Sequence, residues 1–133
     1  MTGETLSGTR ELVLRKLVTW HIVAGMIALG IGLLSGLAFS FQLLQRYWFP
    51  GIELLSPGRV RMLHTNLVAY GFIANVFMGG LYWAVPRITG RPVFSRGLSW
   101  FIFWAWQGIL LATGTGLLAG YAQAIEWGET PIF

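Results

Sequence analysis

Three long apolar runs, separated by clusters of charge, constrain this fold more than any other feature of the sequence. The runs cover about residues 17–44, 61–86 and 98–124. A helix of about 20 apolar residues is long enough to cross roughly 30 Å of membrane hydrocarbon. The sequence therefore predicts an all-α membrane protein with three transmembrane helices, and a single transmembrane domain over residues 1–133.

The composition supports this class and excludes others. The apolar fraction is 55%, the charged fraction is 11%, and the net charge of +4 reflects arginines near the ends of the apolar runs. Such arginines are typical of membrane edges, so we expect contact with the lipid bilayer and none with nucleic acid. The chain has no cysteine, which excludes disulfides, thiolate metal sites and covalent c-type haem attachment within it. The first run is also too long for the core of a cleavable signal peptide.

The basic residues favour a cytoplasmic amino terminus and a carboxyl terminus outside the membrane. With three spans, one side receives six basic residues and the other receives three. The larger set is Arg10, Arg15, Lys16, Arg87, Arg91 and Arg96, and the smaller set is Arg46, Arg59 and Arg61. This topology puts His64 near the outer face and His21 near the inner face, so we expect that they do not bind one iron within the same molecule.

Local signals place the ends of the second span. Ser56 followed by Pro57 predicts a helix start, with a capping hydroxyl and a proline at the first helical position. The sequence further predicts that Pro86, Gly90 and Pro92 end this helix.

The first span carries a packing signal and a histidine. Gly32 and Gly36 form a small-x-x-x-small face that favours close contact with a neighbouring helix. His21 follows Trp20, and we interpret it as an interfacial histidine with its ring at the level of the lipid headgroups. The alternative is a ligand or a proton carrier.

His64 is the main candidate for chemistry, because an ionisable side chain inside a membrane span is a functional candidate by default. On a helix it shares a face with Gly71, Asn75, Met78 and Tyr82. A neutral imidazole can serve as an axial ligand of haem iron, and Gly71 would leave a flat surface for the macrocycle. The alternatives are a histidine satisfied by a neighbouring helix, a packing role for Gly71, and Asn75 as an interhelical hydrogen-bonding group.

Arg59 and Arg61 precede His64 by one to two turns. The planar guanidinium of arginine offers paired donors to a carboxylate, which suits the propionates of a haem. The alternative is that both side chains reach toward lipid phosphates.

Four stretches resemble the amino-terminal part of a haem-copper oxidase catalytic subunit I, over about residues 55–132. They are Gly58-Arg-Val-Arg-Met-Leu-His-Thr-Asn66, Tyr82-Trp-Ala-Val-Pro-Arg87, Leu98-Ser-Trp-Phe-Ile-Phe-Trp-Ala-Trp-Gln107 and Gly120-Tyr-Ala-Gln-Ala-Ile-Glu126. The resemblance is greatest to the C-family, or cbb3-type, cytochrome c oxidases. Related nitric oxide reductases share the Leu-His-x-Asn core.

The resemblance implies roles for particular residues. His64 would be one axial ligand of a low-spin haem b, and Arg59 and Arg61 would lie near its propionates. Glu126 would lie near a calcium ion that bridges propionates. Two features depart from the family pattern: Met62 stands where proline is common, and the residues flanking Glu126 are not the usual lysine and tyrosine.

The resemblance also implies what the chain lacks. The family subunit is a bundle of about a dozen helices, and the second low-spin haem ligand, the high-spin haem ligand and the copper ligands come from helices beyond the third. We therefore expect no catalytic residue in this chain. The remaining helices of subunit I and subunits carrying c-type haem would be its partners, in an oxidoreductase of the respiratory chain.

The expected reaction of that complex is the reduction of oxygen with cytochrome c as electron donor. The expected location is the bacterial inner membrane, as a multi-pass protein. Two alternatives remain open on the sequence. One is the equivalent part of a nitric oxide reductase. The other is a small haem-b membrane protein or scaffold that acts alone, in which two copies would each supply His64 to one iron.

Overall fold

The fold is a set of three long helices, seen in a computed structural model that describes residues 12–121 of the chain. Every regular element in this part of the chain is helical. The elements in order are α1 (Arg15–Leu43), a 3-10 turn (Glu53–Leu55), α2 (Pro57–Asn66), a π-helical segment (Leu67–Ile73), α3 (Ala74–Thr89) and α4 (Arg96–Ala119).

The three predicted transmembrane helices are confirmed. Helix α1, the continuous helix from Pro57 to Thr89 and helix α4 are each long and apolar enough to cross a membrane. We call the continuous helix of α2, the π-helical segment and α3 the second span. Large apolar side chains such as Ile27, Leu34 and Phe101 are exposed on the outside of the bundle. Exposed apolar side chains all around a helix bundle are expected where the surrounding solvent is lipid.

The helix of the second span begins where the sequence predicted and ends later than Pro86. Pro57 is its first helical residue, as predicted, but the Ser56 side chain makes no capping hydrogen bond. The prediction that Pro86 ends the helix is wrong, because Pro86 lies within α3. Proline removes one backbone donor, yet its fixed φ is compatible with a helix. Gly90, with φ of 65°, is the residue at which the chain leaves the helix, in the left-handed conformation that favours glycine.

Helix α1 packs closely on the second span through small residues. A Cβ atom added to Gly71 would lie 2.7 Å from the Cβ of Ala28, and one added to Gly25 would lie 3.1 Å from Val76. Helices in membranes associate through such small residues because the backbones can then approach closely. Gly71 therefore packs against α1, and haem clearance at this residue stays a prediction.

Two backbone carbonyl groups of the π-helical segment accept hydrogen bonds from side chains, one on α4 and one on α3. The indole Nε1 of Trp106 on α4 donates to the carbonyl oxygen of Tyr70 at 3.3 Å. The amide Nδ2 of Asn75 donates to the carbonyl oxygen of Gly71 at 2.7 Å. Segments of π-helix often lie at functional sites, and this one begins three residues after His64.

Replacing Gly71 by alanine tests the close contact between α1 and the second span. We expect Gly71→Ala to destabilise the bundle by about 1–3 kcal/mol, because the new methyl group overlaps Ala28. Gly80→Ala is the matched control, since no atom lies within 4 Å of its Cβ position. It should gain up to about 1 kcal/mol from helix propensity. Reversible unfolding in mixed detergent micelles measures the free energy of unfolding of both variants. Equal changes in Gly71→Ala and Gly80→Ala would contradict the close contact at Gly71.

Candidate functional site

The His64 imidazole is oriented by the backbone of α1. Its Nδ1 lies 2.7 Å from the carbonyl oxygen of Gly32. Because a carbonyl oxygen can only accept a hydrogen bond, Nδ1 must carry the proton and donate it. In a neutral imidazole this leaves the lone pair on Nε2, on the other side of the ring. A backbone acceptor on one ring nitrogen is the usual way in which proteins orient a histidine whose other nitrogen binds a metal.

Gly36 provides the space in which the imidazole lies. A Cβ atom at this position would be 2.6 Å from His64 Nδ1 and 2.7 Å from Cε1. The predicted small-x-x-x-small face of α1 is thus confirmed, and Gly32 and Gly36 receive the half-buried His64 ring. Any side chain at residue 36 would push the ring away from its acceptor.

Four of the five residues predicted to share a face of the second span lie against the same neighbouring helix, and the place of Met78 on that face stays a prediction. His64 contacts Gly32, Gly71 lies against Ala28, and Asn75 and Tyr82 both contact His21. All of these partners belong to α1. His64, Asn75 and Tyr82 of the second span therefore face α1.

Arg59 joins the beginning of α2 to the end of α4. Its Nη1 donates to the carbonyl oxygen of Leu118 at 2.9 Å, and its Nη2 pairs with Glu53 Oε1 at 2.8 Å. The carbonyl groups at a helix carboxyl end carry partial negative charge and lack partners within the helix, so a cation stabilises them. The Glu53 side chain is 82% exposed, and such an exposed ion pair adds little stability.

The other predicted ligands lie at the same end of the second span or outside the described region. Arg61 is an exposed residue in the first turns of α2. Glu126, the residue that the resemblance places near calcium, lies outside the described residues.

His21 is completely buried, so the interpretation of an interfacial ring at headgroup level is wrong. Its exposed fraction is 0%. The ring stacks on Tyr82 with centroids 5.6 Å apart and meets the edge of Phe103 at 4.8 Å. The sequence could not show this, because burial follows from contacts with the second span and with α4.

A hydrogen-bonded triad of His21, Asn75 and Gln107 connects all three membrane-spanning helices. His21 Nδ1 lies 3.1 Å from Asn75 Oδ1, and Gln107 Nε2 donates to the same oxygen at 2.8 Å. The expectation that Asn75 is an interhelical hydrogen-bonding group is confirmed. Sequence reasoning missed Gln107 as its partner, although an amide residue within the apolar third span is a signal for an interhelical hydrogen bond.

The two histidines are far apart. Their contacts on α1, at residues 21 and 32, are eleven positions apart, which is about 16 Å along the helix axis. As predicted, they cannot bind the same iron within one molecule.

Comparison with known proteins identifies the class of this membrane bundle. The family model described as "Cytochrome C and Quinol oxidase polypeptide I" matches residues 16–132. The chain therefore belongs to this family, and it corresponds to the amino-terminal portion of a haem-copper oxidase subunit I, as the four sequence stretches indicated.

Individual relatives are bacterial oxidase subunits. The chain is 34% identical over 119 residues to cytochrome c oxidase subunit 1 of Rhodobacter capsulatus, covering 81% of this chain and 22% of that protein. It is 29% identical over 131 residues to the cbb3-type cytochrome c oxidase subunit CcoN1 of Stutzerimonas stutzeri, covering 97% of this chain and 26% of that protein. The chain thus spans about a quarter of the length of these relatives.

Replacing Asn75 by leucine tests the triad. We expect Asn75→Leu to cost about 1–3 kcal/mol of stability, because the buried N–H group of His21 and the half-buried amide of Gln107 lose their shared acceptor. Thr115→Val is a suitable control, since it removes an exposed hydrogen bond to the α4 backbone and should change stability by less than about 0.5 kcal/mol. Unfolding in mixed micelles measures the difference. An Asn75→Leu variant as stable as the control would show that the triad contributes nothing.

Proposed function

We propose that this chain forms the first three helices of a cbb3-type cytochrome c oxidase subunit I, and that His64 Nε2 is an axial ligand of its low-spin haem b. The observation that carries the proposal is the hydrogen bond from His64 Nδ1 to the Gly32 carbonyl oxygen. It fixes the tautomer in which Nε2 has a lone pair, and this is the form of histidine that binds iron.

The residues of the chain suit such a group. His64 is half-buried and its orientation is set by α1, so the ligand is in place before haem binds. Haem, when bound, supplies one-electron redox chemistry, whose potential depends on the axial ligands and the surrounding hydrogen bonds. The hydrogen bond to Gly32 raises the basicity of Nε2 and holds the ring against rotation. These are the contributions that we assign to this chain.

The arginines are proposed to bind the haem carboxylates. Arg59 Nη2 already pairs with a carboxylate, that of Glu53, so its guanidinium is oriented toward a position that accepts one. Arg61 lies two residues further along α2, near the same end of the second span. Glu126 is proposed as a calcium ligand on the resemblance alone.

The remaining parts of the reaction are proposed to belong to helices other than the three described. Because the chain spans about a quarter of its relatives, the second haem ligand, the high-spin haem and copper are proposed to come from the helices that follow in the family. Cytochrome c and c-haem subunits would deliver electrons, and oxygen would be reduced outside this chain.

We also propose that the chain lies in the bacterial inner membrane with its amino terminus in the cytoplasm. The names of the relatives support an oxidase rather than a nitric oxide reductase.

Removal of the proposed ligand tests the assignment. In the assembled complex, we expect His64→Ala to abolish the low-spin haem b absorption while the three helices still insert into the membrane. His21→Asn is the control, because His21 lies about 16 Å from the proposed haem ligand along α1. It should keep the haem spectrum. An unchanged low-spin spectrum in His64→Ala would reject the proposal.

A second variant tests the orienting role of α1 without touching the ligand. We expect Gly36→Ala to lower low-spin haem occupancy roughly 10- to 100-fold, because the added methyl group displaces the His64 ring from the Gly32 carbonyl. Gly30→Ala on the same helix has no atom within 4 Å of the new Cβ and should leave occupancy unchanged. Haem content per protein, measured by pyridine haemochrome absorption, compares the two. Equal occupancy in both variants would contradict the orienting role.

A further inference from the structure

The His21 ring has the same tautomer as His64 but a different environment at its second nitrogen. Asn75 Nδ2 donates to the Gly71 carbonyl, which can only accept, so Asn75 must direct Oδ1 at His21. His21 Nδ1 therefore carries the proton, and Nε2 holds a lone pair. This nitrogen is sealed from solvent and has no hydrogen-bond partner among the described residues. By contrast, the His64 residue is only half-buried.

The enclosure of His21 limits what its lone pair can bind. The ring lies between Tyr82 and Phe103, and the backbone of Gly79 closes its Cβ side. A haem cannot reach Nε2 in this packing, and a buried water needs a cavity with two or more polar partners. A proton is the one ligand that requires no space.

We propose that the buried His21 binds a proton at Nε2, and that this protonation loosens the packing of the three membrane-spanning helices around it. The added proton comes from a hydronium ion in the solvent: one O–H bond of that ion breaks, an N–H bond forms on the Nε2 lone pair, and a water molecule is left. Nδ1–H remains on Asn75 Oδ1. An amide oxygen does not take up a proton near neutral pH, so the proton leaves by the way it entered, and the site is not a link in a through-going chain.

The groups that face His21 explain why the proton would loosen the packing. The titratable Tyr82 of the second span stacks on the ring, and α4 contributes the uncharged Phe103 at the ring and the uncharged Gln107 at Asn75. Asn75 is also uncharged. The protonated ring would therefore hold a positive charge and an N–H group without an acceptor, inside a closed apolar site, which is unfavourable. Separation of the helices would let water reach both.

The pH dependence of unfolding tests this proposal in the full chain, in mixed detergent micelles. Free imidazole takes up a proton below about pH 6.5. We compare the wild type with a variant that cannot bind the proton. If only the opened state binds the proton at His21, the unfolding constant of the wild type should rise about tenfold more than that of the variant for each unit by which the pH falls below about 6.5. His21→Asn is that variant, because its amide Nδ2 can still donate to Asn75 Oδ1. Both proteins retain His64 and every carboxylate, so other pH effects cancel in the difference.

Two results would overturn the proposal. One is the same pH dependence in the wild type and His21→Asn. The other comes from ¹⁵N NMR of imidazole-labelled chain, which remains informative where the variant fails to fold. The proposal predicts a proton on Nδ1 and a bare Nε2 at neutral pH, and protonation of Nε2 together with altered Tyr82 and Phe103 ring signals on acidification. A proton on Nε2 at neutral pH, or protonation without any change at those rings, contradicts it. Neither measurement depends on haem, so the outcome is independent of the proposed function.

Discussion

The close contact between α1 and the second span is the constraint on which the other features depend. Small residues on both helices let the backbones approach, with Gly71 against Ala28 and Gly36 against the His64 ring. At this separation a backbone carbonyl of α1 can reach a side chain of its neighbour, although helix carbonyls are normally used within their own helix. The Gly32 carbonyl is used in this way by His64.

The apolar surroundings then decide the chemistry of the two histidines. A polar group inside a membrane bundle is costly unless it has a partner, and both rings satisfy Nδ1 with an oxygen. The difference lies in Nε2. At His21 it is enclosed by aromatic side chains, whereas the half-buried His64 lies at the edge of α1 and the second span. One fold therefore holds two imidazoles in the same tautomer, a half-buried one that we propose as an iron ligand and one whose Nε2 is enclosed.

Much of the fold could be predicted from the sequence because its signals are local. The three apolar runs, Pro57 at the start of the second span and the small-residue face at Gly32 and Gly36 all appear in the structure. The continuation of α3 through Pro86 was missed, since proline is compatible with a helix when the following residues keep helical geometry. The burial of His21 and its link to Gln107 were missed because they depend on how three distant segments meet. His64 could be named as a candidate ligand from the sequence, but the Gly32 acceptor that orients its ring could not.

The most direct test of the central claim is an experimental structure of the assembled oxidase, read at His64. We predict that iron is bound to Nε2 and that Nδ1 still donates to the Gly32 carbonyl oxygen. A structure in which Nε2 faces lipid, or donates a hydrogen bond to another side chain while the haem iron is held elsewhere, would contradict the assignment of this chain as a haem-ligating part of the oxidase.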